Sequence, residues 1–167
     1  GLTAPFGAPL ITTPEALDRA AEAVLALLPQ LAAYDGVMVA AFGDPGQARL
    51  AERLPVPVVG IAQAAMAEAL TVADRFAVVT TTPALADRIG GRAADLGHAQ
   101  AFAGTWVTPG DPAALTADPA RLRAALHGAA LRALSDDPGI GAIIIGGGPL
   151  AEAARDMAAD VPVPIIQ

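Results

Sequence analysis

Two stretches of this chain follow one plan, and together they leave few architectures open. The first starts at Asp35. Val37 to Ala41 is a nearly continuous apolar run, Phe42-Gly43-Asp44-Pro45-Gly46 is a tight turn, and Gln47 to Leu54 starts a helix. The second comes much later. Ala142 to Gly148 is an apolar run ending in glycines, and Pro149 to Ala159 is again helical in pattern. Each unit is followed by a strand carrying Pro-Val, LPVPVVGI at Leu54 to Ile61 and DVPVPIIQ at Asp160 to Gln167. Repetition of whole strand–turn–helix–strand units predicts two related α/β halves. Apolar runs without alternation read as strands buried on both faces, as in a parallel sheet covered by helices. A glycine turn between such a strand and a helix presents backbone N–H groups to an anion at the carboxyl end of the sheet.

The remaining sequence fits the same alternation. Thr13-Pro14-Glu15 opens a helix, with Thr13 as N-cap, proline at the first helical position and an acid in the first turn. Leu17, Ala20, Ala21, Val24 and Leu28 continue it at helical spacing. Ala62 to Val72 reads as a helix linking the halves, and Arg75 to Thr80 as a strand. Thr81-Thr82-Pro83 then starts a helix that runs to about Leu96. Gln100 to Val107 is a strand, Thr108 to Thr116 a loop, and Asp118-Pro119 caps a long helix over Ala120 to Leu134. The expected fold class is α/β with two related parallel-sheet halves. The first half spans residues 1–65 and lacks its first strand; the second spans 66–167. Both ends read as cut, because the chain opens in a loop and stops at a strand.

Composition narrows function by exclusion. The chain has 167 residues, a formal net charge of −7 and ten basic residues, all arginine. An acidic surface without a basic patch argues against nucleic acid and anionic membranes. There are no cysteines, which removes disulfides, thiolate metal sites and thiol nucleophiles. The lack of lysine removes Schiff-base chemistry. Hydrophobic residues make up 54% and aromatics only 4%, so much of the apolar content is alanine and small aliphatics. The apolar runs are too short to span a bilayer, and GLTAPFGAP has no signal-peptide pattern. A cytoplasmic protein is expected.

DGVMVAAFGDPG, LPVPVVGIAQAA, RFAVVTTTPAL and GAIIIGGGPLA, in that order, resemble the aspartate/glutamate racemase superfamily, and within it the hydantoin racemases. The resemblance covers about Ala8 to Gln167. It implies two α/β domains related by a pseudo-twofold, with the active site between them. It implies cofactor-independent removal and return of a proton at the carbon beside a carbonyl, by two cysteines on opposite faces. By position those cysteines would be Ala41 and Gly147, and neither residue can move a proton. The related arylmalonate decarboxylases keep the second cysteine, which is also missing here. The resemblance further assigns substrate oxygens to Phe42, Gly43 and Asp44, to Thr80, Thr81 and Thr82, and to Gly147 and Gly148. Thr80 to Thr82 suit that task on their own, since a strand end meeting a helix start collects hydroxyls and free N–H groups. The bland alternative is that Thr81 or Thr82 merely caps the helix.

Other signals are weaker. IIIGGGPLA fits a dinucleotide fingerprint, but that motif needs an acid at the end of the following strand, and Asp160 precedes the strand. Asp44 is a possible base, or a turn residue that binds nearby N–H groups. His98 and His127 lack the partners of a triad or metal site. The expected function is therefore a racemase- or isomerase-like protein for small amino-acid derivatives such as hydantoins or amino acids. The alternatives are a non-catalytic binder of small carboxylates and an enzyme using a non-cysteine base. No cofactor and no metal are expected. The expected partners are a small carboxylate or cyclic imide and further copies of the chain in a homo-oligomer.

Overall fold

The computed structural model describes residues 1–167. Its elements in chain order are α1 (Pro14–Leu25), α2 (Leu28–Leu31), β1 (Val37–Val39), α3 (Gln47–Ala51), β2 (Val58–Gly60), α4 (Ile61–Val72) and β3 (Phe76–Thr80). They continue with α5 (Ala86–Asp95), β4 (Phe102–Val107), α6 (Pro112–Thr116), α7 (Pro119–Asp136), β5 (Ala142–Ile145), α8 (Ala151–Met157) and β6 (Ile165–Ile166). The strands form two sheets. β1 pairs with β2, and a four-stranded sheet runs in the order β4-β3-β5-β6. Every pairing is parallel. The repeat is visible in the pairing itself: β1-α3-β2 and β5-α8-β6 are both strand–helix–strand units with parallel neighbours.

The larger sheet is covered on both faces, and the two-residue period of a strand sorts its side chains between them. Ala77, Val79, Ile143 and Ile145 pack with α7 and α8 through Leu122, Leu126, Ala129, Ala130, Ala154 and Met157. Phe76, Val78, Ala142 and Ile144 pack with Ala65, Met66 and Ala69 of α4 and with Ile89 and Ala93 of α5. β3 and β5 are buried at every position, as their apolar runs imply. A smaller core holds Leu25, Leu27, Leu31, Val39, Leu50 and Leu54 around β1. No helix is long and apolar enough to cross a membrane.

Several expectations need correction. β1 is not buried on both faces: Met38 is 65% exposed, since its side chain points to a sheet face that no buried cluster covers. β1 also stops at Val39, so Ala40 and Ala41 already belong to the turn. The Pro-Val strands are shorter than expected. Prolines lack the N–H needed for a ladder, and pairing begins at Val58 and at Ile165. The segment read as loop from Thr108 to Thr116 contains α6, where Asp111 accepts the N–H of Ala114 (2.9 Å) and Pro112 opens the helix. The other caps fall where they were expected. Thr13 accepts the N–H of Ala16 (3.2 Å) and Asp118 that of Arg121 (3.1 Å).

Candidate functional site

The carboxyl ends of β1, β3 and β5 lead into three turns that face a single cavity. After β1, the chain reverses through Ala41 to Gly46. Asp44 donates its N–H to Ala41 (3.0 Å), and Gln47 donates to Asp44 (3.1 Å). The reversal needs left-handed backbone at Gly43 (φ 99°), Asp44 (φ 52°) and Gly46 (φ 75°). At Gly46 a side chain is also blocked, since a Cβ would lie 3.0 Å from the Ala21 carbonyl of α1. Asp44 is the one non-glycine residue with positive φ, and aspartate is among the residues that tolerate it.

After β3 come Thr80, Thr81 and Thr82. The Thr80 hydroxyl donates to the Gly146 carbonyl at 2.9 Å and lies 3.0 Å from the Thr82 hydroxyl. A hydroxyl has one proton. With Thr80's proton on Gly146, Thr82 must be the donor between the two threonines. The free lone pairs of Thr82 are then available to an incoming N–H. Thr81 is almost fully buried and its hydroxyl has no partner in the chain. After β5, Gly146 donates to Val79 at 2.8 Å. Its missing side chain admits the Phe42 ring, which would stand 2.8 Å from a Cβ. That contact seats the first turn against the larger sheet.

The resulting cavity has a volume of about 240 Å³. Ala41, Phe42, Gly43, Thr80, Thr81, Thr82, Gly147 and Gly148 all line it. The N–H groups of Phe42, Gly43, Thr81 and Gly147 pair with no acceptor in the chain. The structure therefore brings together every residue named from the sequence except Asp44. Asp44 is correctly described as a buried cap rather than a cavity base. Its carboxylate accepts the N–H groups of Ala62 and Gln63 at the start of α4, both at 2.8 Å. It is also paired with Arg92 at 3.0 Å, and its side chain has no exposure. The N-cap residue of α4 is Gly60, which has no side chain to cap with. A Cβ at Gly60 would overlap the Asp44 carboxyl group, so the cap comes from a different turn and occupies that space. Arg92 also donates to Gln47 Oε1 (2.8 Å), and Gln47 Nε2 donates to the Val58 carbonyl (2.8 Å).

The wall also contains residues that the sequence reading missed. Ala8 to Ile11 and Leu17 close one side, and Leu85, Arg88 and Ile89 of α5 and its lead-in another, with Thr116 of α6 and Leu150 nearby. Arg88 had a usable signal: it lies in the first turn and a half of a helix whose start, Thr82-Pro83, was already placed at the site. Arg88 and Arg92 are one turn apart on α5 and reach Asp18 of α1 and Asp44, respectively. These contacts tie the elements around the small sheet to the large one.

Two parallel sheets whose strand ends meet over a donor-lined cavity define an α/β protein with a cavity between its sheets. The chain belongs to the Asp/Glu/hydantoin racemase family, whose model matches residues 1–167. It is similar to allantoin racemase from Klebsiella pneumoniae, with 32% identity and a TM-score of 0.87 over 98% of this chain and 67% of that one. Allantoin racemase from Pseudomonas fluorescens is 29% identical, with a TM-score of 0.89 over 99% of this chain and 71% of that one. A hydantoin racemase from Rhizobium meliloti is 45% identical over 49 residues, which are 29% of this chain and 20% of that protein.

Proposed function

We propose that this chain binds a small carboxylate or a cyclic imide of the hydantoin type in the cavity, without racemising it at an enzymic rate. The walls would come from two halves, residues 1–65 and 66–167. One observation carries this reading: unpaired N–H groups and threonine hydroxyls converge on a cavity whose wall has no side chain able to accept a proton from carbon. The donors suit carbonyl or carboxylate oxygens, and the Thr82 lone pairs suit a ring N–H. Racemisation through two faces of a carbon needs a proton acceptor on one and a donor on the other. A positioned base of this kind typically contributes about 10²–10⁴-fold in rate. The family's cysteine positions hold Ala41 and Gly147. At Gly147 a side chain would stand 2.9 Å from Leu150 Cδ1, so the space a thiol needs is taken by leucine.

The test pairs calorimetric titration with hydantoin and solvent deuterium exchange at its ring methylene. Wild type is expected to bind while exchange stays near the buffer rate. The triple variant Ala41→Cys/Gly147→Cys/Leu150→Ala, in which the shortened side chain clears room for the second thiol, is expected to accelerate exchange. Failure to bind hydantoin and N-carbamoylglycine alike would remove the site assignment. Fast exchange by wild type would show that a base outside the two cysteine positions is at work.

A further inference from the structure

Arg88 is the only charged side chain in the cavity wall. It is half-exposed and pairs with Asp18 through a single nitrogen. Nη2 reaches both carboxylate oxygens, at 2.8 and 2.7 Å. A guanidinium has five N–H donors, and here neither Nε nor Nη1 has an acceptor in the chain. Arg88 lines the same cavity as the neutral donors, in a protein of net charge −7. Neutral N–H groups and hydroxyls serve a ring carbonyl and a carboxylate alike, so they cannot select by charge. Overall negative charge opposes the approach of an anion. Arg88 is the one group in the wall that can reverse that preference. Exposed ion pairs hold folds together only weakly, so the pair with Asp18 is not needed to explain the stability of α5.

We propose that Arg88 is the specificity-determining residue of the cavity, selecting ligands that carry a carboxylate over neutral rings of the same skeleton. This rests on the cavity being the ligand site. On binding, the carboxylate would take donors of Nε or Nη1 while Nη2 stays with Asp18. Charge-assisted hydrogen bonds of this kind change affinity by roughly 10- to 100-fold.

Hydantoin and N-carbamoylglycine make a matched pair, because the second is the first with its ring opened by water and a carboxylate exposed. Titration of wild type is expected to show tighter binding of N-carbamoylglycine. Arg88→Gln should weaken N-carbamoylglycine by roughly 10- to 100-fold more than it weakens hydantoin. Arg88→Lys keeps the charge and should give an intermediate loss. Asp18→Asn frees Nη2 and should strengthen N-carbamoylglycine alone. Unchanged thermal midpoints in the variants confirm that the fold is intact. Binding of hydantoin only, or equal losses for both ligands in Arg88→Gln, would overturn the role of Arg88 while leaving the cavity a ligand site. Binding of neither ligand by wild type would overturn both.

Discussion

Replacing Asp44 by asparagine tests the reading of Asp44 as a structural cap. Asparagine tolerates left-handed backbone at least as well as aspartate, so the turn is not strained by the change. The effect is confined to the carboxylate. One oxygen remains as an acceptor; the other becomes an NH₂ group that faces donors, because Oδ2 now receives both the Gln63 N–H and the Arg92 guanidinium. Removing one member of a buried ion pair costs about 3–5 kcal/mol. A lost cap bond costs about 1 kcal/mol. These terms share one oxygen and do not add. Arg92 keeps Gln47 as an acceptor and is 14% exposed, which favours the low end. A net loss of about 3 kcal/mol follows, equivalent to a fall of roughly 6–12 °C in midpoint for a chain of this size. Urea unfolding of wild type, Asp44→Asn, Arg92→Gln and the double variant should give a coupling energy of about 1–3 kcal/mol. A single-variant loss below about 1 kcal/mol with no coupling would refute the cap, since an exposed turn carboxylate behaves that way.

The other predictions concern neighbouring sites. Gly60→Ala places a methyl group in the space of the Asp44 carboxyl group, and thermal unfolding should show a loss of roughly 1–3 kcal/mol or more, as in overpacked cores. Thr80→Val removes the donor to the Gly146 carbonyl and the acceptor for Thr82; it should destabilise by roughly 1–3 kcal/mol and weaken hydantoin binding through the freed Thr82. Asp137 is held below the usual carboxylate range, first by hydrogen bonds from Arg75 and then by the Gly139 N–H. Because its pKa is lower folded than unfolded, its contribution is complete above the unfolded value of about 3.9 and is lost as pH falls through the folded one. Asp137→Asn should therefore flatten the midpoint-versus-pH curve below about pH 4, and an unchanged curve there would remove this contribution.

What the sequence revealed depended on how far each cause lies from its effect along the chain. Thr13-Pro14 and Asp118-Pro119 could be read because a cap and the N–H it binds are three residues apart. Asp111-Pro112 carries the same signature, but the surrounding proline and glycine masked it as loop, and α6 was missed with Thr116 at its end. Part of the cavity was legible for a related reason. A strand end meeting a helix start, as at Thr80 to Thr82, collects hydroxyls and free N–H groups, whereas Phe42, Gly43 and Gly147 were placed by the resemblance to the racemase superfamily. The burial of β1 was not legible. VMVAA and AIII are alike in apolarity, but Ile144 lies on a sheet face covered by α4 and α5, whereas no buried cluster covers the face of Met38. Asp44 shows the same limit in its chemistry. Its partners lie 18, 19 and 48 positions away, so the turn can be read as a turn but its carboxylate cannot be read as a cap. Gly60 was the one trace. A helix beginning at a glycine must take its cap from elsewhere or leave its N–H groups to water. In a buried helix start the first option holds, and the carboxylate that supplies the cap is Asp44.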